Sequence, residues 1–256
     1  MPTRRAFLLG LAVPLAGFAK PTRDLQTAAL NEASRHALAY TLELPDFICM
    51  ETVRRSNNVR GSGWRVKDIL RVQLGIAEHK EHYKLVTLNG RPTNLSYRSL
   101  GGALTEGEWG SLLGEVFRPG AATFRWERQG TAGGRPAYIF SFYVPPENAT
   151  FHLEFGYRSG EPQSTVVGHK GLEWIDLETQ QVTRIEQTAV IPRDFPLKTS
   201  KTTVDYTWID IAGRNWLLPS KASTIMGTRD LVTRNEVEFR DYQKFAADSS
   251  VTFEQP

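Results

Sequence analysis

Cysteine is nearly missing from this chain: Cys49 stands alone among 256 residues, which rules out an internal disulfide framework. No His or Cys neighbours it, so it reads as a packed thiol within a strand over Phe47–Arg54. Histidine is scarce too, with five. Glu78-His79-Lys80-Glu81-His82 matches neither H-E-x-x-H nor H-x-x-E-H, and strand alternation would send His79 and His82 to opposite faces. A polar turn is the plain reading, and no metal site is expected. His36, His152 and His169 stand isolated among polar neighbours and are expected to face solvent. A nucleophile elbow is absent, since Ser111 has Trp109 and Leu113 where glycines would be needed. Neither a Gly-rich phosphate loop opening a helix nor a C-x-x-C pair occurs. The expectation is a non-enzymatic protein with no catalytic residue and no cofactor.

Charge of one sign is lacking as well. The formal charge is +3, but Arg4 and Arg5 fall in a segment expected to be removed, and 31 − 2 = 29 basic against 28 acidic residues leaves about +1. That balance gives no argument for a nucleic-acid partner. The longest apolar stretch, Phe7 to Phe18, falls short of the ~20 residues a membrane span needs. Thr3-Arg4-Arg5-Ala6-Phe7-Leu8 resembles a twin-arginine export signal, and Gly17-Phe18-Ala19 supplies small residues for cleavage after Ala19. The expected product is a periplasmic protein with no transmembrane segment left after cleavage. No linker rich in Gly, Ser or Pro divides the remainder, so residues 20–256 are expected to form one domain.

What the chain has in quantity is strand pattern. Ile69–Ile76 alternates Leu70, Val72, Leu74 and Ile76 against Arg71 and Gln73, a half-buried strand. Asn89-Gly90 is a strong hairpin signal between His82–Leu88 and Pro92–Leu100. Further strands are expected over 122–129, 136–144, 150–157, 163–169, 171–177, 181–191, 202–211, 214–226 and 231–245. A basic loop is expected over 54–67. With no helices between the strands to support parallel pairing, the sheet should be antiparallel.

Two helices interrupt this pattern. Thr22–Leu44 is Ala-rich, with Leu25, Ala28, Ala29, Glu32, His36 and Ala39 along one face, and Pro45 ends it. The second is Thr105–Gly120. Thr105 and Glu108 have capping-box spacing, Trp109, Leu112, Leu113, Val116 and Phe117 form one apolar stripe, and Pro119-Gly120 stops it. Gly107, Gly110 and Gly114 each cost such a helix about 1 kcal/mol relative to Ala, so it should need a surface to pack on.

The segment Glu81-His82-Tyr83-Lys84-Leu85-Val86-Thr87-Leu88-Asn89-Gly90-Arg91-Pro92 resembles the early hairpin of periplasmic proteins of the LolA/LolB and RseB/MucB type. Gly171-Leu172-Glu173-Trp174-Ile175-Asp176, running into Val182-Thr183-Arg184-Ile185-Glu186, is similar to a hairpin of outer-membrane lipoprotein-sorting proteins, and Ile211–Pro219 is similar to their next one. The resemblance implies a mainly β fold: one curved antiparallel sheet forming an unclosed barrel, its concave face partly plugged by helices. It also implies a lipid or lipoprotein acyl chain as ligand in that hollow. On this reading the ligand-binding surface is Trp109, Leu112, Leu113, Val116 and Phe117 of the plug, with Leu70, Val72, Leu74, Phe140, Phe142 and Trp174 of the sheet. The alternative is an interaction or sensing module with a filled core, whose partner is another envelope protein. An envelope hydrolase is a third reading, resting on His79, His82 and nearby carboxylates.

Overall fold

In the computed structural model the described residues are 20–77, 80–100, 111–156 and 163–245. Helix α1 (Arg23–Glu43) opens with the Thr22 hydroxyl accepting from the Leu25 N–H at 3.4 Å, and Leu44 closes it with its N–H on the Tyr40 carbonyl at 3.2 Å. The face it buries is Ala29, Ala33 and Ala37, not the expected stripe through Leu25; Leu25 is 56% exposed. Small side chains at i, i+4 and i+8 bring the helix axis close to the sheet, and that closeness decides the face.

Strands β1 (Phe47–Val59), β2 (Arg65–Ala77), β3 (Lys80–Leu88) and β4 (Arg91–Pro92) form a meander. Asn89 and Gly90 turn β3 into β4 with φ of 52° and 76°, as the Asn-Gly pair predicts. The basic loop expected over 54–67 shrinks to 60–64, because β1 and β2 continue toward it and Arg55 buries against Asp68. A charge run can alternate across a strand as readily as it can fill a turn.

Helix α2 (Ser111–Phe117) follows, then the hairpin β5 (Thr123–Ala132) and β6 (Arg135–Val144). The expected cap at Thr105 and Glu108, and Trp109 itself, lie outside the described residues. A small hairpin, β7 (His152–Phe155) and β8 (Gln163–Val166), precedes β9 (Gly168–Asp176) and β10 (Val182–Val190). Long strands β11 (Thr199–Ile211), β12 (Arg214–Gly227) and β13 (Leu231–Lys244) complete the chain.

Eleven strands make one sheet in the order β4-β3-β2-β1-β13-β12-β11-β10-β9-β6-β5, and β7-β8 stand apart. Every pairing between adjacent strands is antiparallel. The edges β4 and β5 do not meet, so the sheet is an open, mainly β half-barrel. Both α-helices among the described residues pack on its inner face, where Ala33, Ala37, Leu113, Val116 and Phe117 join one core with Val53, Leu70, Val72, Leu74, Phe140 and Phe142. Each fully buried Leu, Val or Phe there stabilises by roughly 1.5–3 kcal/mol. Cys49 belongs to the same core, and burial pushes its thiol well up, as a packed cysteine requires. No helix among the described residues is long and apolar enough to cross a membrane.

Candidate functional site

Register turns the inner face into rows that can be read straight across the sheet. One row runs Trp126, Phe140, Glu173, Ile185, Val204, Ala222, Val237, Val53, Leu70 and Leu88, from β5 to β3. Residues directly opposite in antiparallel strands share a face, so Glu173 is the single carboxyl in an otherwise apolar row. The neighbouring row runs Phe124, Phe142, Gly171, Gln187, Thr202, Thr224, Asn235, Arg55 and Asp68. Its β10-to-β2 part is a polar seam crossing the interior.

The two ends of this polar material differ. At the β1–β2 end, the Arg55 guanidinium donates to both Asp68 carboxylate oxygens at 2.6 Å, a buried bidentate pair. In the middle, the Thr202 and Thr224 hydroxyls meet at 3.4 Å. At the β9–β10 end, both Glu173 carboxyl oxygens, the Gln187 Oε1 and both His169 ring nitrogens are buried without a hydrogen-bond partner, as is the Trp126 Nε1. Glu173 and His169 are 0% exposed and Gln187 is 3% exposed. Burial pushes the Glu173 carboxyl well above the usual glutamate range, so it is a neutral acid. Burial pulls His169 below its ordinary value, opposed by the Glu115 carboxylate.

Gly171 sits among these groups. Glu173 and His169 lie two residues to either side of it, and Gln187 stands opposite it across the ladder. A Cβ on Gly171 would come within 1.7 Å of the Glu186 carbonyl oxygen and 2.8 Å of the Phe142 ring, so glycine is required there. The Phe142 ring covers the space that a side chain would take.

Helix α2 lies over this wall. Leu113, Val116 and Phe117 point in, and the Phe117 ring stacks on Phe124 at 5.3 Å between centroids. Glu115 ties the helix down: its Oε1 accepts the Thr150 N–H at 2.8 Å and stands 3.8 Å from His169 Nδ1. Gly120, at φ 74°, turns the chain away after the helix, and the Asn148 amide donates to its carbonyl at 2.9 Å. Helix α1 packs beside α2 and against β9, and its Tyr40 hydroxyl donates to the Leu217 carbonyl at 2.8 Å.

Of the expected ligand-binding residues, Leu113, Val116, Phe117, Leu70, Val72, Leu74, Phe140 and Phe142 come together in one buried cluster, with Leu112 packed at its margin. Trp109 lies outside the described residues. Trp174 does not face the concave side: it packs with Ala132, Ala137 and Ile139 on the outer face, under the Arg184 guanidinium at 5.2 Å. Adjacent apolar residues Trp174 and Ile175 left the face of β9 undetermined, and the register with Ile139 settles it. His169 corrects a second expectation, being fully buried between the edges of Phe142 and Phe151. His152 is exposed as expected. Glu78 and His79 lie outside the described residues, while His82 is in register with Gly75 on β3.

Glu173, Gln187 and Glu115 were missed by sequence reasoning, which treats a charged residue beside a tryptophan as the outward one. A further concavity of about 580 Å³ lies on the outer face, back to back with this wall, among Arg125, Ser141, Lys170, Leu172, Glu186 and Lys201.

No protein-family model matches the chain, and no curated protein does. Among solved structures it is similar to a LolA superfamily protein of Nitrosomonas europaea, at 15% identity and TM-score 0.37, covering 86% of this chain and 93% of that one. It is similar to a putative outer membrane lipoprotein-sorting protein domain from Vibrio parahaemolyticus, at 12% identity and TM-score 0.45, covering 88% and 94%. It is also similar to a chain of the Pseudomonas aeruginosa MucA/MucB complex, at 11% identity and TM-score 0.24, covering 86% and 100%. At these identities no residue role transfers.

Proposed function

We propose that this chain is a non-enzymatic periplasmic binding protein, exported by the twin-arginine route, that takes a lipid or a lipoprotein's acyl chain against the inner wall of β5, β6 and β9. In this reading α2 is a lid: it occupies the wall in the closed state and swings out when a chain enters. The observation that carries it is what the described residues of α2 cover: the inward side chains of Leu113, Val116 and Phe117 rest over an aromatic wall of Phe124, Trp126, Phe140 and Phe142. Helix α2 is held on the wall by that contact and by the Glu115 tether to the Thr150 amide. A ligand with a longer apolar surface can therefore compete for the same wall.

The lid makes a directional prediction. Apparent affinity is reduced by the fraction of molecules that are open, so weakening the closed state should strengthen binding. Leu113→Ala is expected to bind the neutral fluorescent probe N-phenyl-1-naphthylamine more tightly than wild type, by roughly tenfold for a lid weakened by about 1.4 kcal/mol. Trp109→Ala is compared in the same titration. Mass spectrometry of the protein purified from the envelope reads the resident lipid. If no lipid co-purifies and neither wild type nor Leu113→Ala takes the probe, the proposal fails.

The alternative, an interaction or sensing module whose hollow is simply filled core, is favoured by one observation. The inner-face residues Leu70, Val72, Leu74, Phe140 and Phe142 are all at most 3% exposed under the two helices. Recovery of a stoichiometric protein partner from envelope extracts, with no lipid in the purified complex, would decide for that reading.

A further inference from the structure

We propose that the wall beneath α2 carries a polar subsite, formed by Glu173, Gln187 and His169, that recognises the uncharged, hydroxyl-bearing head of an amphiphile. This rests on the lid reading above and names the class of ligand that the same wall would select. Buried polar atoms are almost always paired, because each unpaired one forfeits the hydrogen bonds it made to water. Here the two Glu173 oxygens and Gln187 Oε1 have no hydrogen-bond partner, at 0% and 3% exposure, and the 0% exposed His169 has the Glu115 carboxylate 3.8 Å from its Nδ1. Glu173 and His169 flank Gly171 along β9 and Gln187 stands opposite it, with the Phe142 ring lying over the glycine.

The same sheet pairs its buried Arg55 with Asp68 through two bonds of 2.6 Å, so the fold is able to satisfy a buried charge where only stability is at stake. An apolar residue at Glu173 would continue its otherwise apolar row. A fold that keeps a carboxyl, an amide and an imidazole instead gains nothing from them in the closed state. They gain partners when α2 leaves and a ligand enters.

The donor and acceptor pattern selects the head group. Gln187 Oε1 and the Glu173 oxygens accept, and a neutral imidazole offers one acceptor and one donor. Arg55, on the same polar row, already holds Asp68 at the far end of the seam. An anionic phosphate or carboxylate head would therefore meet acceptors and a buried acid rather than a counter-charge. A cationic head would need a buried ion pair, whose desolvation cancels most of its attraction. Hydroxyl groups donate to these acceptors and accept a hydrogen bond from the neutral carboxyl O–H, with no charge buried.

The test compares 1-monooleoylglycerol, methyl oleate, which has the same chain but no donor, and oleylamine, each displacing N-phenyl-1-naphthylamine from the full chain. Wild type is expected to prefer the glycerol ester over methyl oleate by about tenfold, the worth of one or two net hydrogen bonds. Glu173→Leu should bring the two esters to equal affinity, and should unfold at higher urea concentration. Glu173→Gln, which keeps the shape, a carbonyl acceptor and a donor, should retain most of the preference and guards against a folding defect in the first variant. Equal affinities for the two esters in wild type, with the probe still bound, would overturn the subsite and leave the lid reading standing. A stronger preference for oleylamine would overturn the uncharged head. Absence of probe binding in every variant would remove the lid reading and the subsite with it.

Discussion

On the β1–β2 side, the inner face buries an arginine clasped by a bidentate carboxylate; on the β6–β9–β10 side, it buries a carboxyl and an amide oxygen without hydrogen-bond partners, and an imidazole whose neighbour is the Glu115 carboxylate at 3.8 Å. Both lie on the inner face of one sheet. The Arg55–Asp68 pair is internally complete, so no ligand is needed to account for it. The groups around Gly171 are incomplete, and their cost is borne beneath α2, the element fastened by one carboxylate to the Thr150 amide. The contrast separates two kinds of buried polarity on this inner face: one paired within the fold, the other without hydrogen-bond partners.

The largest effect should come from breaking the completed side. Asp68→Ala leaves the buried Arg55 guanidinium without its carboxylate and should cost roughly 3–5 kcal/mol in urea unfolding. Loss below about 1 kcal/mol would place the pair outside the core. Next, Gly171→Ala forces a Cβ into the Glu186 carbonyl and should cost about 3 kcal/mol by separating β9 from β10. A neutral outcome would mean that the strands part without penalty.

Removing the orphan carboxyl should act in the opposite direction from removing Asp68. Glu173→Leu is expected to stabilise the ligand-free protein by roughly 1–3 kcal/mol at neutral pH. The sign with pH follows from the raised pKa: the neutral acid's contribution is fully present below the ordinary glutamate value of 4.5 and is lost as pH rises through its folded value. Wild type should thus lose stability on the alkaline side of 4.5 at up to about 1.4 kcal/mol per pH unit, and Glu173→Leu should lose less. An identical pH slope in both proteins would put the carboxyl in contact with solvent.

The smallest effect concerns His169. Its folded pKa is depressed, so its contribution is present above the ordinary 6.5 and is lost as pH falls through the folded value. His169→Gln should flatten the acid limb of the stability profile and leave the alkaline limb unchanged. Thermal melts between the two limbs read both variants in one series.

Much of the architecture was legible in advance. Ile69–Ile76 alternates so cleanly that its buried face could be named, and Leu70, Val72 and Leu74 are buried there. Asn89-Gly90 and Ala212-Gly213 turn their hairpins with positive φ at both residues. The plug residues Leu113, Val116 and Phe117 face the sheet for the reason their spacing indicated. The site was less legible. Trp174 and Glu173 exchange the faces that their polarity suggests, and His169 is buried among aromatic edges although its neighbours in the chain are polar.

The sequence by itself determined the class of fold, the hairpin turns, the two helices and the absence of a recognisable catalytic motif, because each of these depends on periodicity or on residues a few positions apart. Only the tertiary structure decided which polar groups lost their partners. That depends on register across β6, β9, β10 and β11 and on what α2 covers, and so on residues that are far apart in the chain and adjacent only once the sheet has formed.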